Sequence, residues 1–420
     1  MSFPKYPEHK DSGVEWLGEV PAHWEKLKLS RISREKCDGP FGSAIKSEHY
    51  RDSGVRVIRL QNIKKNSFNG RDAAYIDADY YYREISRSDV VGGDLLVAGL
   101  GDDNNVVGRA CVAPCGVAPA MVKADCFRFR LDNTRVLPDF LAYQLSAGAE
   151  ADAGLLSTGS TRSRIPLSAM GTRVVALPPH DEQVGVSAFL DHETARIDAL
   201  VEQQQRLIEL LKEKRQAVIS HAVTKGMDPN VPMKDSGVEW LGEVPAHWEV
   251  FRLKQIVTVQ GGATPAKERL DFWNGKIPWV SPKDMKKERV SDSSDHITEK
   301  ALSETGLSMI NSGAVLIVVR GMILAHSVPV AIAEAPLTIN QDMKAVTPSE
   351  KMSSEYMLLL LSGIKGAIFN YIDSSAHGTK KLEWERFENI MLPLPKLTEQ
   401  RSICRKIHEQ VEPEGSPRNI

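Results

Sequence analysis

Through the middle of the chain Ile197, Leu200, Gln204, Leu207, Leu211, Lys214, Val218 and His221 follow alternating spacings of three and four, flanked by a second line at Val201, Ile208 and Ala222. This is the a/d seam of a coiled coil, and it predicts one long helix from Asp181 to Lys225. Gly226 supplies a stop, with Pro229 beyond it. The first half of the helix is mostly acidic and the second mostly basic, the arrangement its dipole favours. At about 1.5 Å per residue, roughly forty residues make a rod of about 60 Å. A rod with one apolar side needs a partner helix, and Gln204 and Lys214 would fix its register. Outside this segment the pattern shortens. Val55 to Leu60 and Ile277 to Val280 read as strands rich in β-branched residues. Leu95 to Ala98 and Val315 to Val319 read as buried strands opened by a glycine turn. Asp139 to Leu156 and Ser353 to Tyr371 are long and dense enough in apolar residues to be helices. The class is α/β (α+β).

Those elements occur twice. Lys10 to Glu25 (KDSGVEWLGEVPAHWE) recurs without change at Lys234 to Glu249. The register continues past this cassette: Leu29 and Ile32 match Leu253 and Ile256, and Gly93-Asp94-Leu95-Leu96-Val97 matches Gly313-Ala314-Val315-Leu316-Ile317. Ala118-Pro119 matches Ala335-Pro336, Asp125 matches Asp342, and Ser146 matches Ser362. Each half closes on Leu-Pro then Glu-Gln, at Leu177-Pro178 with Glu182-Gln183 and at Leu394-Pro395 with Glu399-Gln400. Landmarks in constant order, with little shared between them, mean one fold carrying different surfaces. In the cassette Trp16, Leu17, Val20 and Trp24 stand beside Gly18 and Pro21, which predicts a Trp-anchored turn packed on another element. The expected division is 1–178 and 227–395 for two homologous domains, 179–226 for the long helix, and 396–420 for the opening turns of a second helix and its tail.

Composition narrows the function by exclusion. The 42% hydrophobic and 26% charged content is ordinary for a soluble protein, no apolar run is long enough for a membrane span, and the polar start has no secretory core, so a cytoplasmic protein is expected. Cys37, Cys111, Cys115, Cys126 and Cys404 form no disulfide framework, and no second pair or nearby histidine completes a zinc site, so reduced thiols and no metal are expected. The chain lacks a phosphate-binding GxxxxGK[ST] loop, HExxH and GxSxG, and Gly99-Leu100-Gly101 is a turn. It reads as a recogniser without catalytic residues. A net charge of −2 argues against nucleic acid as a partner. Against that stand local basic clusters: Lys64-Lys65-Asn66, Arg162-Ser163-Arg164, Lys283 with Lys286-Lys287, and Lys380-Lys381. A solvated face is the ordinary meaning of each. GSTRSR (Gly159 to Arg164) and HGTKK (His377 to Lys381), however, fall at equivalent places in the two halves.

The string DSGVEWLGEVPAHW, its repetition, and the LP…EQ closure before a long helix together resemble the specificity subunit of Type I restriction-modification systems. The resemblance covers nearly the whole chain. It implies two target-recognition domains, each reading one part of a split site in double-stranded DNA, held apart by two long antiparallel helices. It also implies methyltransferase subunits on the helical and cassette regions, and restriction subunits. These partners would bring S-adenosylmethionine, ATP and Mg, with no cofactor on this chain. On this reading phosphate contacts fall to Lys64, Lys65, Arg162, Lys286, Lys287 and Lys380, and base-edge contacts to Asn66, Asn104, Asn105, Thr161, His377 and Thr379. One departure stands out: after Glu399-Gln400 a helix begins and gives way to VEPEGSPRNI, so the second spacer helix reads as truncated. Self-association through the central helix is then a substitute for intramolecular pairing. Two other classes stay open, a protein–protein adaptor built on the rod, and a nuclease or methyltransferase with an unrecognised site.

Overall fold

The structure, a computed structural model, describes residues 6–41, 44–102, 104–152, 163–374 and 378–411. It divides into two compact units, Met1–Val201 and Glu202–Ile420, with the boundary inside one helix, His180–Lys225.

In unit 1 the first cassette folds as a hairpin, His9–Asp11 against Glu19–Pro21. Four antiparallel strands follow in the order Ala110–Val112, Leu95–Ala98, Cys126–Leu131, Ser33–Cys37. A second sheet has Val55–Ile58 at its centre, parallel to Ala120–Val122. Strand Glu25–Lys28 pairs with the terminal strand Val174–Leu177, so the ends of the domain are tied together. Helix Pro138–Asp152 covers the first sheet, and Phe140, Leu141 and Leu145 join Leu95, Val97, Phe127 and Phe129 in one core. Burial of this many large apolar groups is what fixes the helix on the sheet.

Unit 2 repeats the plan. Met233–Asp235 pairs with Glu243–Pro245, and Glu249–Arg252 with Met391–Leu394. The sheet around Val315–Val318 is flanked by Met343–Pro348 and Val330–Ala333, and helix Ser354–Gly363 packs on it. Gly93 and Gly313 each adopt φ +88, so the turn before the buried strand needs glycine in both halves.

The Glu-Gln closure has a physical explanation that spacing alone did not give. Glu182 accepts from His23 Nε2 at 2.8 Å, from Trp24 Nε1 at 3.0 Å, and from Tyr6 Oη. Glu399 repeats this with His247 at 2.8 Å and Trp248 at 3.0 Å. The next residue serves the domain helix: Gln183 accepts from the Leu137 N–H and donates to the carbonyls of Arg135 and Pro178. Gln400 accepts from the Ser353 N–H and donates to Lys351 and Pro395. In each unit one dipeptide therefore clamps the cassette and the helix start to the end of the domain.

Three expectations need correction. The strand from Val55 stops at Ile58, because the Asn62 side chain accepts the Arg59 N–H at 2.8 Å and winds Leu60–Asn62 into a 3-10 turn. The helix expected to run from Ser353 to Tyr371 ends at Gly363; after a short helix, Lys365–Phe369, residues Ile372–Ser374 form a hairpin with Lys380–Leu382. The seam of the central helix is not the face that unit 2 buries. Ile219, Ala222 and Val223 enter the core, whereas His221, on the predicted line, is exposed. Ile197, Leu200, Leu207 and Leu211 are 47–56% exposed, so no coiled-coil partner covers them among the described residues.

Candidate nucleic-acid interface

The basic turns sit at the same point of both units. Strand Val55–Ile58 runs into the turn Leu60–Asn62, and strand Trp273–Val280 into Pro282–Asp284. In each turn a side-chain oxygen accepts the N–H three residues earlier, Asn62 from Arg59 and Asp284 from Ser281, at 2.8 and 2.9 Å. Counting onward from those capping residues, Lys64-Lys65 and Lys286-Lys287 are equivalent. This equivalence was not visible in the sequence, where QNIKK and KDMKK share too little around them.

Unit 1 brings a second loop to its turn. Lys64 Nζ lies 3.2 Å from Asn105 Oδ1, and Asn105 Nδ2 donates to Asp102 at 3.0 Å, as does the Asn104 N–H at 2.9 Å. Asn66 occupies the left-handed region, φ +57, at the tip of the hairpin Ile63–Lys64/Ser67–Phe68. Lys65 is ion-paired with Glu150, so its charge is already partly matched. The residue that holds the two loops together is Arg109, which sequence reading missed. Only 4% exposed, it donates to the carbonyls of Ile63 at 2.8 Å, Leu60 at 2.9 Å, Val106 at 2.9 Å and Leu100 at 3.2 Å. A guanidinium with five donors is suited to bind several carbonyls at once. The signal available was an arginine inside an apolar run, GRACV, where a charge is stable only if fully hydrogen-bonded.

In unit 2, Lys286 and Lys287 are exposed and line an open cleft of about 740 Å³ with Lys283, Asp284, Arg289 and Asp292. Lys283 pairs with Asp295 at 2.7 Å. The cleft is therefore of mixed sign, with Glu288 and Glu334 also in its lining.

The bases of the two variable loops are also equivalent. Leu100 bridges Arg164 in unit 1 and Arg320 bridges Lys381 in unit 2. The Asp125 carbonyl accepts from the Gly99 N–H, and the Asp342 carbonyl from the Val319 N–H, both at 2.8 Å. Lys380 lies on the returning strand of the second hairpin, its carbonyl accepting from Gly321, with Thr379 just before it. Thr161, Arg162 and His377 fall outside the described residues.

Asp38 and Asp125 lie near one another at the unit 1 loop base, where Arg164 Nε binds Asp125 at 2.8 Å. Burial, and secondarily the Asp125 charge, push the Asp38 carboxyl up to about 6, against the pull of the Gly39 N–H. An acid whose folded pKa is raised binds its proton more tightly when folded, so its stability contribution is lost as pH rises from about 4 through about 6. Asp38→Asn keeps the acceptor for Gly39 and is expected to stabilise the chain by about 1 kcal/mol at pH 8, after allowing for solvent screening, and by nothing at pH 3.5. Urea unfolding at the two pH values measures this; equal effects at both would show that the carboxylate charge is not the cause.

Cys111 and Cys126 are buried and their thiols are held protonated, Cys111 pushed up to about 12, while Cys115 is exposed. Among the described residues no group of His, Cys, Asp or Glu is placed to hold a metal, and no helix is long and apolar enough to cross a membrane.

Residues 245–411 match the family described as Type I restriction modification DNA specificity domain. The chain is 34% identical over 179 residues to the Type I restriction enzyme EcoR124I/EcoR124II specificity subunit of Escherichia coli. It is 32% identical over 169 residues to the MjaIX specificity subunit of Methanocaldococcus jannaschii. These alignments take in 42% and 39% of this chain, and only 41% and 38% of the two relatives' own lengths. A longer alignment, 21% identical over 93% of this chain and 87% of the relative, joins it to the putative MjaX specificity subunit of the same archaeon. In fold it resembles a chain from a structure of the type I R-M system, at 15% identity and TM-score 0.68 over 93% of this chain and 92% of that one. It also resembles the HsdS subunit from Thermoanaerobacter tengcongensis, at 15% identity and TM-score 0.53, with 93% and 90% covered. The match to the DNA specificity domain takes in most of unit 2, a specificity-subunit relative at 21% identity aligns across both units, and the chain shares the fold of the HsdS subunit.

Proposed function

We propose that the chain recognises double-stranded DNA, each unit reading one half of a bipartite target, and directs methyltransferase and restriction subunits to it. The observation that carries this is the paired placement of Lys64-Lys65 and Lys286-Lys287 after the same strand and turn, beside loops that differ between units. A common basic anchor with a variable neighbour is what phosphate positioning plus base readout requires. Lys286 and Lys287 meet phosphate directly, and Lys65 does so by exchanging Glu150 for a phosphate oxygen. Asn66, Asn104 and Asn105 are the candidates for base-edge contacts in unit 1, with Thr379 in unit 2. Thr161, Arg162, His377 and Lys380 complete the set proposed from the sequence. The chain itself is non-catalytic, and S-adenosylmethionine, ATP and Mg belong to its partners.

Exchanging residues 250–393 for those of a relative with another specificity is expected to change one half of the methylated motif and leave the other intact. Methylation mapping in cells that supply the partner subunits reads the result. A change in both halves would overturn the division of labour, and no salt-dependent retention of duplex DNA by the assembled complex would favour a plain adaptor.

The exposed seam supports a helical partner. Apolar side chains on one face of a long helix associate unless covered. In the absence of partner subunits the chain is expected to self-associate through 190–222, and the double substitution Leu207→Glu, Leu211→Glu to return it to a monomer, because two carboxylates would otherwise be buried unpaired. Sedimentation of both proteins checks this; a monomeric wild-type chain would remove the seam as a self-association surface.

A further inference from the structure

The loop that follows the buried strand of each sheet holds the same place in both units and carries opposite chemistry. In unit 1 it follows Leu95–Ala98, and the Gly108 N–H returns to the Ala98 carbonyl at 2.7 Å. In unit 2 it follows Val315–Val318, and the Val318 N–H takes the Pro329 carbonyl at 3.2 Å. The unit 1 loop is polar, with Asp102 and Asp103 beside Asn104 and Asn105. The unit 2 loop has no acidic residue between Arg320 and Ala333, and presents Met322 and Ile323 instead.

The local fold keeps these two side chains outside. Gly321, at φ +134, turns the chain out of the strand in a conformation that suits glycine, and its N–H is held by the Lys380 carbonyl at 3.0 Å. Met322–Ala325 then forms a 3-10 turn that buries Leu324, only 1% exposed, and leaves Met322 64% and Ile323 40% exposed. Arg320 and His326, both exposed, flank the turn, and strand Lys380–Leu382 packs against it. A single exposed apolar side chain is ordinary. Two adjacent ones, on a turn fixed by Gly321 and Leu324 and set among cationic residues, fit a partner that carries apolar atoms within an anionic surface.

We infer that Met322 and Ile323 read a thymine of the unit 2 half-site through its C5-methyl group, an inference that rests on the DNA reading above. The groove follows from the equivalence of the loops. An asparagine that pairs with adenine through N7 and N6, the pairing open to Asn104 in unit 1, does so in the major groove. Units built on one scaffold bring the same loop to the same groove. There the thymine methyl is the apolar group that a base edge offers, and the minor groove offers none. Unit 1 can keep Asp102 in its loop because the Asn104 and Asn105 N–H groups engage that carboxylate at 2.9 and 2.8 Å. The apolar turn of unit 2 makes no such demand.

The test uses the chain assembled with its methyltransferase subunits, and duplexes carrying the methylated motif that genome mapping identifies. The half-site read by unit 2 is the one that changes when residues 250–393 are exchanged. Each thymine in it, on either strand, is replaced singly by uracil, which keeps base pairing and removes only the methyl. One such replacement is expected to weaken binding about fourfold or more, the worth of one buried methyl group. In the variant Met322→Ala, Ile323→Ala the thymine duplex should bind less tightly and the uracil effect should vanish, with uracil effects in the other half-site unchanged. Met322→Leu should keep the discrimination. Both residues are exposed, so these variants fold, which circular dichroism verifies. Wild-type binding indifferent to every uracil, or a uracil effect that survives in the alanine variant, overturns the inference and leaves the DNA reading standing. An apolar wedge inserted from the minor groove would give the first of these results. A unit 2 half-site without an A·T pair also overturns the inference alone, whereas no salt-dependent retention of any duplex by the wild-type complex would overturn both.

Discussion

Replacing Asp94 by alanine is expected to destabilise unit 1 by about 3–5 kcal/mol, the cost of removing one partner from a buried ionic network. Asp94 is 2% exposed and takes Arg130 in a two-pronged contact at 3.0 and 2.9 Å, while its second oxygen also accepts the Val91 N–H at 2.9 Å. Arg130 reaches onward to Asp89 and Glu35, each at 3.0 Å, and buried Arg128 shares both carboxylates. Without Asp94 the two arginines retain only partners that are 40–56% exposed, and the Val91 N–H loses its acceptor. Unit 2 has solved the same sheet without charge: the counterparts of Asp94, Arg128 and Arg130 are Ala314, Ala345 and Thr347. The triple change Asp94→Ala, Arg128→Ala, Arg130→Thr should therefore recover a substantial part of the loss, since the positions are coupled. Urea unfolding, with hydrogen exchange across 95–98 and 126–131, measures both variants. A single-variant cost below about 1 kcal/mol would mean that the network contributes no more than exposed ion pairs do.

Gln400→Leu is expected to cost unit 2 about 3 kcal/mol or more. The substitution keeps much of the volume but deprives the Ser353 N–H and the carbonyls of Lys351 and Pro395 of their partner, in a site with no exposure at all. Each buried group left unpaired costs about 1–3 kcal/mol. Ser353 also caps the domain helix by accepting the Tyr356 N–H, so the loss should spread to helix Ser354–Gly363 and raise its hydrogen exchange. Gln183→Leu should act in the same way on the start of helix Pro138–Asp152. By contrast Glu399→Gln, on the exposed side of the clamp, keeps hydrogen bonding to Trp248 through its carbonyl oxygen and should matter less. If the two substitutions at Gln400 and Glu399 proved equal, the helix start would not be what Gln400 secures.

The sequence by itself determined the duplication, the α/β class, the long central helix and the strands at Leu95–Ala98 and Val315–Val318. These rest on local periodicity and on identical residues, which need no knowledge of what lies across the fold. It also marked Glu182-Gln183 and Glu399-Gln400, but as punctuation. Their meaning depends on partners as far as 46 to 176 residues away. Tertiary structure decided which line of the central helix is buried: Ile219, Ala222 and Val223 were chosen because the surface of helix Ser354–Gly363 faces them, whatever the heptad pattern favours. It decided where helices stop, since the pairing of Ile372–Ser374 with Lys380–Leu382 outweighs helical propensity. It also decided that Lys64-Lys65 and Lys286-Lys287 are counterparts and that Arg109 binds two distant loops. Equivalence of position is a property of the folded backbone, and a buried guanidinium is tolerated only where non-local carbonyls converge on it, so neither was legible before the chain was folded.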